Sequence, residues 1–138
     1  MDELVPISEE NNITIEEQFI NQRVMVKIDP IKTVRVFENL LMNAIRYSLK
    51  PGKIKVILIK DGDFAIVRVQ NKCDDLSQKD LEKIFDRFYR VEKSRSSDTG
   101  GSGLGLAIAK NIVELQGGDI GAEYQDGYIS FNVKFKLM

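Results

Sequence analysis

The segment KIKVILIKDGDFAIVRV, residues 53–69, leaves little freedom of conformation. Two stretches rich in β-branched residues flank Asp61-Gly62-Asp63, a tight-turn signal, so residues 53–60 and 64–69 are expected to form a β-hairpin. A lone hairpin is marginal in water and needs a further layer for its apolar face. The rest of the chain supplies both strands and helices. Ile13-Thr14-Ile15 and residues 24–28 (VMVKI) read as strands around a turn at Asn21-Gln22. Asp29-Pro30 is a helix start, because Asp can accept from free backbone amides and Pro suits the first helical position. Val34, Phe37, Leu40, Leu41, Ala44 and Ile45 recur at three- and four-residue spacing, extending that helix to about Ser48. Residues 76–89 suggest a short helix capped by Ser77, with Asp80 three residues on. Residues 93–102 are polar and lack periodicity, and residues 104–116 are amphipathic up to Gly117-Gly118. Strands over residues 119–124 and 128–137 flank Asp126-Gly127. The pattern predicts an α/β fold, a two-layer α/β sandwich with a mixed, mainly antiparallel sheet covered on one face by helices.

Composition removes several classes of function. A chain of 138 residues with 43% hydrophobic content fits one domain. Its 20 basic and 21 acidic residues give a net charge of −1, which offers no bulk attraction to nucleic acid or an anionic membrane. Cys73 is the single cysteine and histidine is absent, which excludes an internal disulfide, a conventional zinc site and any imidazole base. The sequence has no 18-residue apolar run, and its amino terminus lacks the basic-then-apolar order of a signal peptide. A soluble, cytoplasmic domain is expected, with residues 1–12 a connector remnant and residues 13–138 the folded unit.

Two constellations could carry chemistry. Asn39, Asn43, Arg46 and Tyr47 align on one side of the first helix at i, i+4, i+7 and i+8. Their amides could offer carbonyl oxygens to a hard cation, and the guanidinium could meet phosphate; a solvated polar face has the same pattern. Gly100-Gly101-Ser102-Gly103-Leu104-Gly105-Leu106 precedes a helix, where missing Cβ atoms and the helix amino terminus favour an anion. That block is neither a Walker A loop nor GxGxxG, and a flexible linker is the competing reading. Between them, Phe85 and Phe88 at i, i+3 are compatible with plain packing.

Taken together, these segments resemble the catalytic domain of sensor histidine kinases, in the superfamily shared with gyrase, Hsp90 and MutL. The resemblance lies in DPIKTVRVFENLLMNAIRYS (residues 29–48), FDRFYR (residues 85–90) and GGSGLGLAIAKNIVELQGG (residues 100–118), and it runs from about Ile13 to the end. It implies an ATP-binding sandwich with Mg²⁺ at Asn43, Asn39 beside the phosphates, and Arg46 and Tyr47 near phosphates and ribose. A lid over about residues 72–102 would bring Arg90 and Arg95 to the γ-phosphate, and Phe85 would couple the lid to the nucleotide. Gly101, Gly103 and Gly105 would hold the lid's return close to the phosphates. Ala44, Leu76, Tyr89, Leu104, Leu106 and Ser130 complete the implied nucleotide-binding set, with Asn39, Asn43, Arg46 and Arg90 its catalytic members. Partners implied are a histidine-bearing dimerisation domain and a response regulator, within a membrane-anchored homodimeric parent; this portion would be monomeric.

The first glycine box departs from the family pattern. Asn71 stands for its Asp, Cys73 for its first Gly and Asp75 for its second. The Asn71 carbonyl can accept from the adenine amine more weakly than a carboxylate, and its amide could turn toward guanine O6. Weaker ATP affinity and looser discrimination against GTP are therefore expected, and Cys73 and Asp75 could crowd the base. Two rivals follow: an ATP hydrolase, or an interaction module without catalysis. Against hydrolysis, the position four residues before Asn43 is Asn39, not the water-activating Glu of gyrase-like members, and Glu38 lies about 100° around the helix.

Overall fold

The computed structural model describes residues 9–89 and 103–138. The strands are β1 (Ile13–Phe19), β2 (Gly52–Asp61), β3 (Phe64–Lys72), β4 (Asp119–Gln125) and β5 (Tyr128–Lys136), and the helices α1 (Pro30–Tyr47), α2 (Gln78–Lys83) and α3 (Gly105–Leu115). All five strands join one sheet in the order β1-β2-β3-β5-β4. β1 runs parallel to β2, and every other neighbouring pair is antiparallel. Both expected hairpins form, with Gly62 at φ 58° in one turn and Asp126 and Gly127 at φ 54° and 84° in the other. Those left-handed dihedrals match the twist of the flanking strands.

The two periodicities meet in one core. Ile54 and Val56 of β2, Val69 of β3 and Ile129, Phe131, Val133 and Phe135 of β5 point to one side of the sheet. Val36, Leu40, Leu41, Ala44 and Ile45 of α1 and Leu106, Ala109, Ile112 and Val113 of α3 cover them in a single cluster. Full burial of such side chains is worth about 1.5–3 kcal/mol each. The alternate strand positions, among them Arg68, Gln70 and Asn132, form the face away from the helices.

Local chemistry fixes the helix ends. The Asp29 carboxylate accepts from the Ile31 and Lys32 amides at 3.0 and 3.2 Å, with Pro30 at the first helical position. Ser77 and Asp80 cap α2 reciprocally, each side chain accepting from the other's backbone N–H at 3.0 Å. At the end of α3, Gly117 takes φ 79° and the Gly118 amide donates to Val113 O at 2.9 Å. A Cβ at Gly118 would lie 2.7 Å from the Phe135 ring.

Two sequence-based elements differ. Residues 24–28 make only the isolated bridge Val26–Leu137, supported by the Met138 amide donating to Met25 O at 2.9 Å. β3 and β4 already occupy both edges of β5, which leaves this segment nothing but the residues beyond its end. Helix α2 stops at Lys83 rather than continuing to Tyr89. The chain there turns through Asp86 N–H to Lys83 O (2.9 Å), and Phe88 adopts φ 63°, which no right-handed helix accommodates.

One side chain ties α1 to α3. Gln116 accepts from the Asp29 amide through its carbonyl and donates to Thr33 Oγ1 at 3.1 Å through its amide. Gln116→Ala removes both bonds and is expected to lower stability by about 1–3 kcal/mol in urea unfolding. An unchanged midpoint would show that the bridge contributes nothing.

Candidate functional site

Turning its apolar stripe to the sheet leaves α1 with a second stripe facing α3. Asn39, Met42, Asn43, Arg46 and Tyr47 form one wall of a cleft of about 340 Å³. Gly103, Leu104, Gly105, Leu106 and Ile108 form the opposite wall, and Ile84 and Tyr89 close one end. Two other hollows are of similar size, so volume does not single this one out. One is an apolar groove of about 290 Å³ between α1 and β1–β3; the other is a polar hollow of about 320 Å³ on the far face of the sheet.

The lining of the α1–α3 cleft is what distinguishes it. Among the described residues, Asn39 Nδ2 is buried with no hydrogen-bond partner, and such a group costs about 1–3 kcal/mol unless an acceptor reaches it. Helix α3 begins in the same cleft, and no side chain of the described residues caps it at Leu104. Its first-turn amides and the helix dipole therefore present positive potential beside an unsatisfied donor and the Arg46 guanidinium. That arrangement suits an anion bearing several oxygens.

Glycine is required at one position by geometry. Gly103 has φ 77°, and a Cβ there would stand 2.7 Å from Phe88 Cα. The Phe88 amide donates to Gly103 O at 2.8 Å, which joins the chain on either side of residues 90–102. Gly105 is less constrained, since an added Cβ would make ordinary contact with Asn39 at 3.9 Å. The two aromatic residues between the boxes separate in role. Phe85 packs edge-on against Phe131 at 6.0 Å with Lys110 Nζ 5.6 Å from its ring centroid, whereas Phe88 is exposed. Tyr89 donates its hydroxyl proton to Asp80. Burial opposes the Asp80 charge, but the hydrogen bonds from Tyr89 and Ser77 outweigh it and hold the carboxyl below its ordinary range.

Of the residues singled out by sequence, Asn39, Asn43, Arg46, Tyr47, Tyr89, Gly103, Leu104, Gly105 and Leu106 line the cleft. Met42, Ile84 and Ile108 were not anticipated. Met42 continues the α1 stripe at i+3 from Asn39, a spacing that could have disclosed it. Ala44 is instead fully buried in the core. Asn71 is 1% exposed, and Cys73, Leu76 and Phe85 pack in or against the core cluster rather than lining the cleft. Asp75 accepts from the Tyr124 hydroxyl at 3.3 Å. Ser130 is a correction: the strand alternation that buries Ile129 and Phe131 turns it to the opposite face, where its hydroxyl accepts from Gln70 Nε2 at 3.1 Å. Arg90, Arg95 and Gly101 lie outside the described residues.

Residues 28–137 match the family described as histidine kinase-, DNA gyrase B-, and HSP90-like ATPase. Among curated proteins, the chain is similar to the sensor protein VanSC of Enterococcus gallinarum, with 37% identity over 96% of this chain and 36% of that protein. The chain thus spans about a third of the length of that relative. Among solved structures, the catalytic domain of the histidine kinase ThkA superposes with TM-score 0.83 and 26% identity, covering 98% of this chain and 86% of that one. ThkA in complex with the response regulator protein TrrA shares the fold at TM-score 0.76 and 24% identity, covering all of this chain and 40% of that one.

Two outcomes follow from this geometry. Gly103→Ala forces a left-handed residue and a clash with the Phe88 backbone, so a loss of about 1–3 kcal/mol is expected by chemical denaturation. Burial, reinforced by Asp74, pushes the Cys73 thiol up to about 11 from an ordinary 9.0. The folded state thus favours the neutral thiol: this contribution to stability is complete below pH 9 and disappears as pH rises through 11. Cys73→Ala should flatten that part of the stability–pH curve relative to wild type, and parallel curves would contradict the assignment.

Proposed function

The chain belongs to the histidine kinase-, DNA gyrase B- and HSP90-like ATPase family, and from that premise we propose that it is the ATP- and Mg²⁺-binding catalytic domain of a two-component sensor histidine kinase. The observation that carries this reading is the buried Asn39 amide, without a partner among the described residues, set opposite the N-terminus of α3. A triphosphate would accept from the Asn39 amide and lie at the positive end of the α3 dipole. Arg46 would bind phosphate oxygens, and Tyr47 would stand beside the ribose. Residues 13–138 would be the catalytic unit and residues 1–12 a connector, with Arg90, Arg95 and Gly101 added by the lid.

The donor set fits a magnesium ion held mainly by phosphate. Among the described residues no cluster of three or more His, Cys, Asp or Glu could hold a metal, whereas Asn43 offers one amide oxygen in the cleft. Mg²⁺ would lie at Asn43 and neutralise charge on the β- and γ-phosphates. The remaining work of the protein is positioning. It holds the triphosphate so that an external nucleophile can approach the γ-phosphorus in line, the bond to ADP breaking as the new bond forms. That nucleophile would be a histidine on a dimerisation domain, since this chain has none. Transfer onward to a response regulator would be the next step, a reading in keeping with the structure of ThkA in complex with the response regulator protein TrrA. The parent would be a membrane-anchored homodimer with this part in the cytoplasm.

Hydrolysis fits less well. Glu38, the acidic neighbour of Asn39, lines the apolar groove beside Val34 and Phe37, on a different side of α1 from the cleft. No acidic side chain is among the described residues lining the cleft, which supports transfer over water activation.

ATP with Mg²⁺ is expected to raise the melting temperature, and Asn43→Ala to abolish the Mg²⁺-dependent part of that rise. Supplied in trans with a cognate acceptor domain, the wild type should yield phosphohistidine. No shift at millimolar nucleotide would favour an interaction module instead.

A further inference from the structure

Helix α2 has six residues, none of them fully buried, and a helix so short is marginal unless its ends are satisfied. Its place is set by Leu81 within it and by Ile84 and Phe85 just beyond it, which pack against the core cluster. Its first turn carries Asp80, and the two oxygens of that carboxylate serve different neighbours. Oδ2 accepts from the Ser77 amide at 3.0 Å and closes the cap. Oδ1 accepts from the Tyr89 hydroxyl, nine residues on. One carboxylate thus joins the start of α2 to a residue that lines the α1–α3 cleft.

The backbone around Tyr89 is fixed by other bonds. Its amide donates to Asp86 O at 3.2 Å, and the preceding Phe88 amide donates to Gly103 O at 2.8 Å. Those bonds place the Tyr89 backbone and leave its side chain a choice of rotamers. The hydrogen bond to Asp80 selects the one in which the ring closes the end of the cleft beside Ile84. An ionised carboxylate is a strong acceptor for a hydroxyl, which makes this selection firm.

We propose that Asp80 is a positioning residue for the nucleotide site, holding the Tyr89 ring as the end wall of the cleft before the ligand arrives. This rests on the nucleotide reading above. Asp80 is not among the described residues lining the cleft, so it acts through Tyr89. A wall ordered in advance does not have to be ordered by the ligand, and the difference appears as affinity. The same carboxylate caps α2, but the two roles are separable. Ser77 Oγ accepts from the Asp80 backbone amide at 3.0 Å, so half of the cap does not involve the carboxylate at all.

The test is isothermal titration of the chain with ATP and Mg²⁺, at a temperature well below the unfolding midpoint of every variant. Tyr89→Phe keeps the ring and the α2 cap and removes only the hydroxyl, whereas Asp80→Ala removes the carboxylate. Each is expected to weaken ATP binding about tenfold, and the double variant no further, because both delete one bond. Asp80→Asn should restore most of the affinity, since the Tyr89 hydroxyl can donate to the amide oxygen or accept from the amide nitrogen. Ser77→Ala, which weakens only the cap, should lower the melting temperature and bind ATP as the wild type does. Wild-type affinity in Tyr89→Phe and Asp80→Ala overturns the inference and keeps the nucleotide reading. So does an Asp80→Asn variant as weak as Asp80→Ala, or an equal loss in Ser77→Ala, which would assign the effect to the stability of α2. A wild type that binds no ATP overturns the nucleotide reading itself.

Discussion

Everything functional in this domain depends on the rotational setting of α1. The helix carries two stripes: one of Val36, Leu40, Leu41, Ala44 and Ile45 buried on the sheet, the other of Asn39, Met42, Asn43, Arg46 and Tyr47 facing α3. A shift of one residue turns a helix about 100°. It would bury the asparagines and expose the core. Hydrophobic burial thus sets the site's geometry mainly through residues outside the site, with Leu106 shared between the core cluster and the cleft wall. The Asp29 cap and the Gln116 bridge hold the axial position that burial alone leaves loose.

This division explains what the sequence disclosed. Hairpins, caps and the α1 stripe depend on residues close in the chain, and Asp61-Gly62-Asp63, Asp29-Pro30 and Ser77 with Asp80 announce them locally. What failed depends on distant competition. Residues 24–28 have strand-like alternation, but both edges of β5 are taken by β3 and β4, which lie far along the chain from them. The Ser130 side follows from strand register, which a single position does not reveal. Residues 76–89 read as helix because Phe85 and Phe88 keep helical spacing. Only the pairing of Phe88 with Gly103 explains why the chain leaves that path.

The adenine side of the family pattern gains the most from three dimensions. By sequence, Asn71, Cys73 and Asp75 are three independent departures from a motif. In the fold each has a distinct physical setting: Asn71 is held by Lys72, Cys73 is a core residue with an inert thiol, and Asp75 is tied to Tyr124. Each exchanged side chain is accommodated by its neighbours, although among the described residues Asn71 Oδ1 is buried without a hydrogen-bond partner.

The backbone pairing of Phe88 with Gly103 has a consequence for chain length. It fixes the spacing of the two flanks of residues 90–102 through described residues alone. The entropic penalty of such a closure grows only logarithmically, about 0.6 kcal/mol for each doubling. A change in the number of residues between these flanks is therefore expected to cost little while α1 and α3 hold the cleft walls.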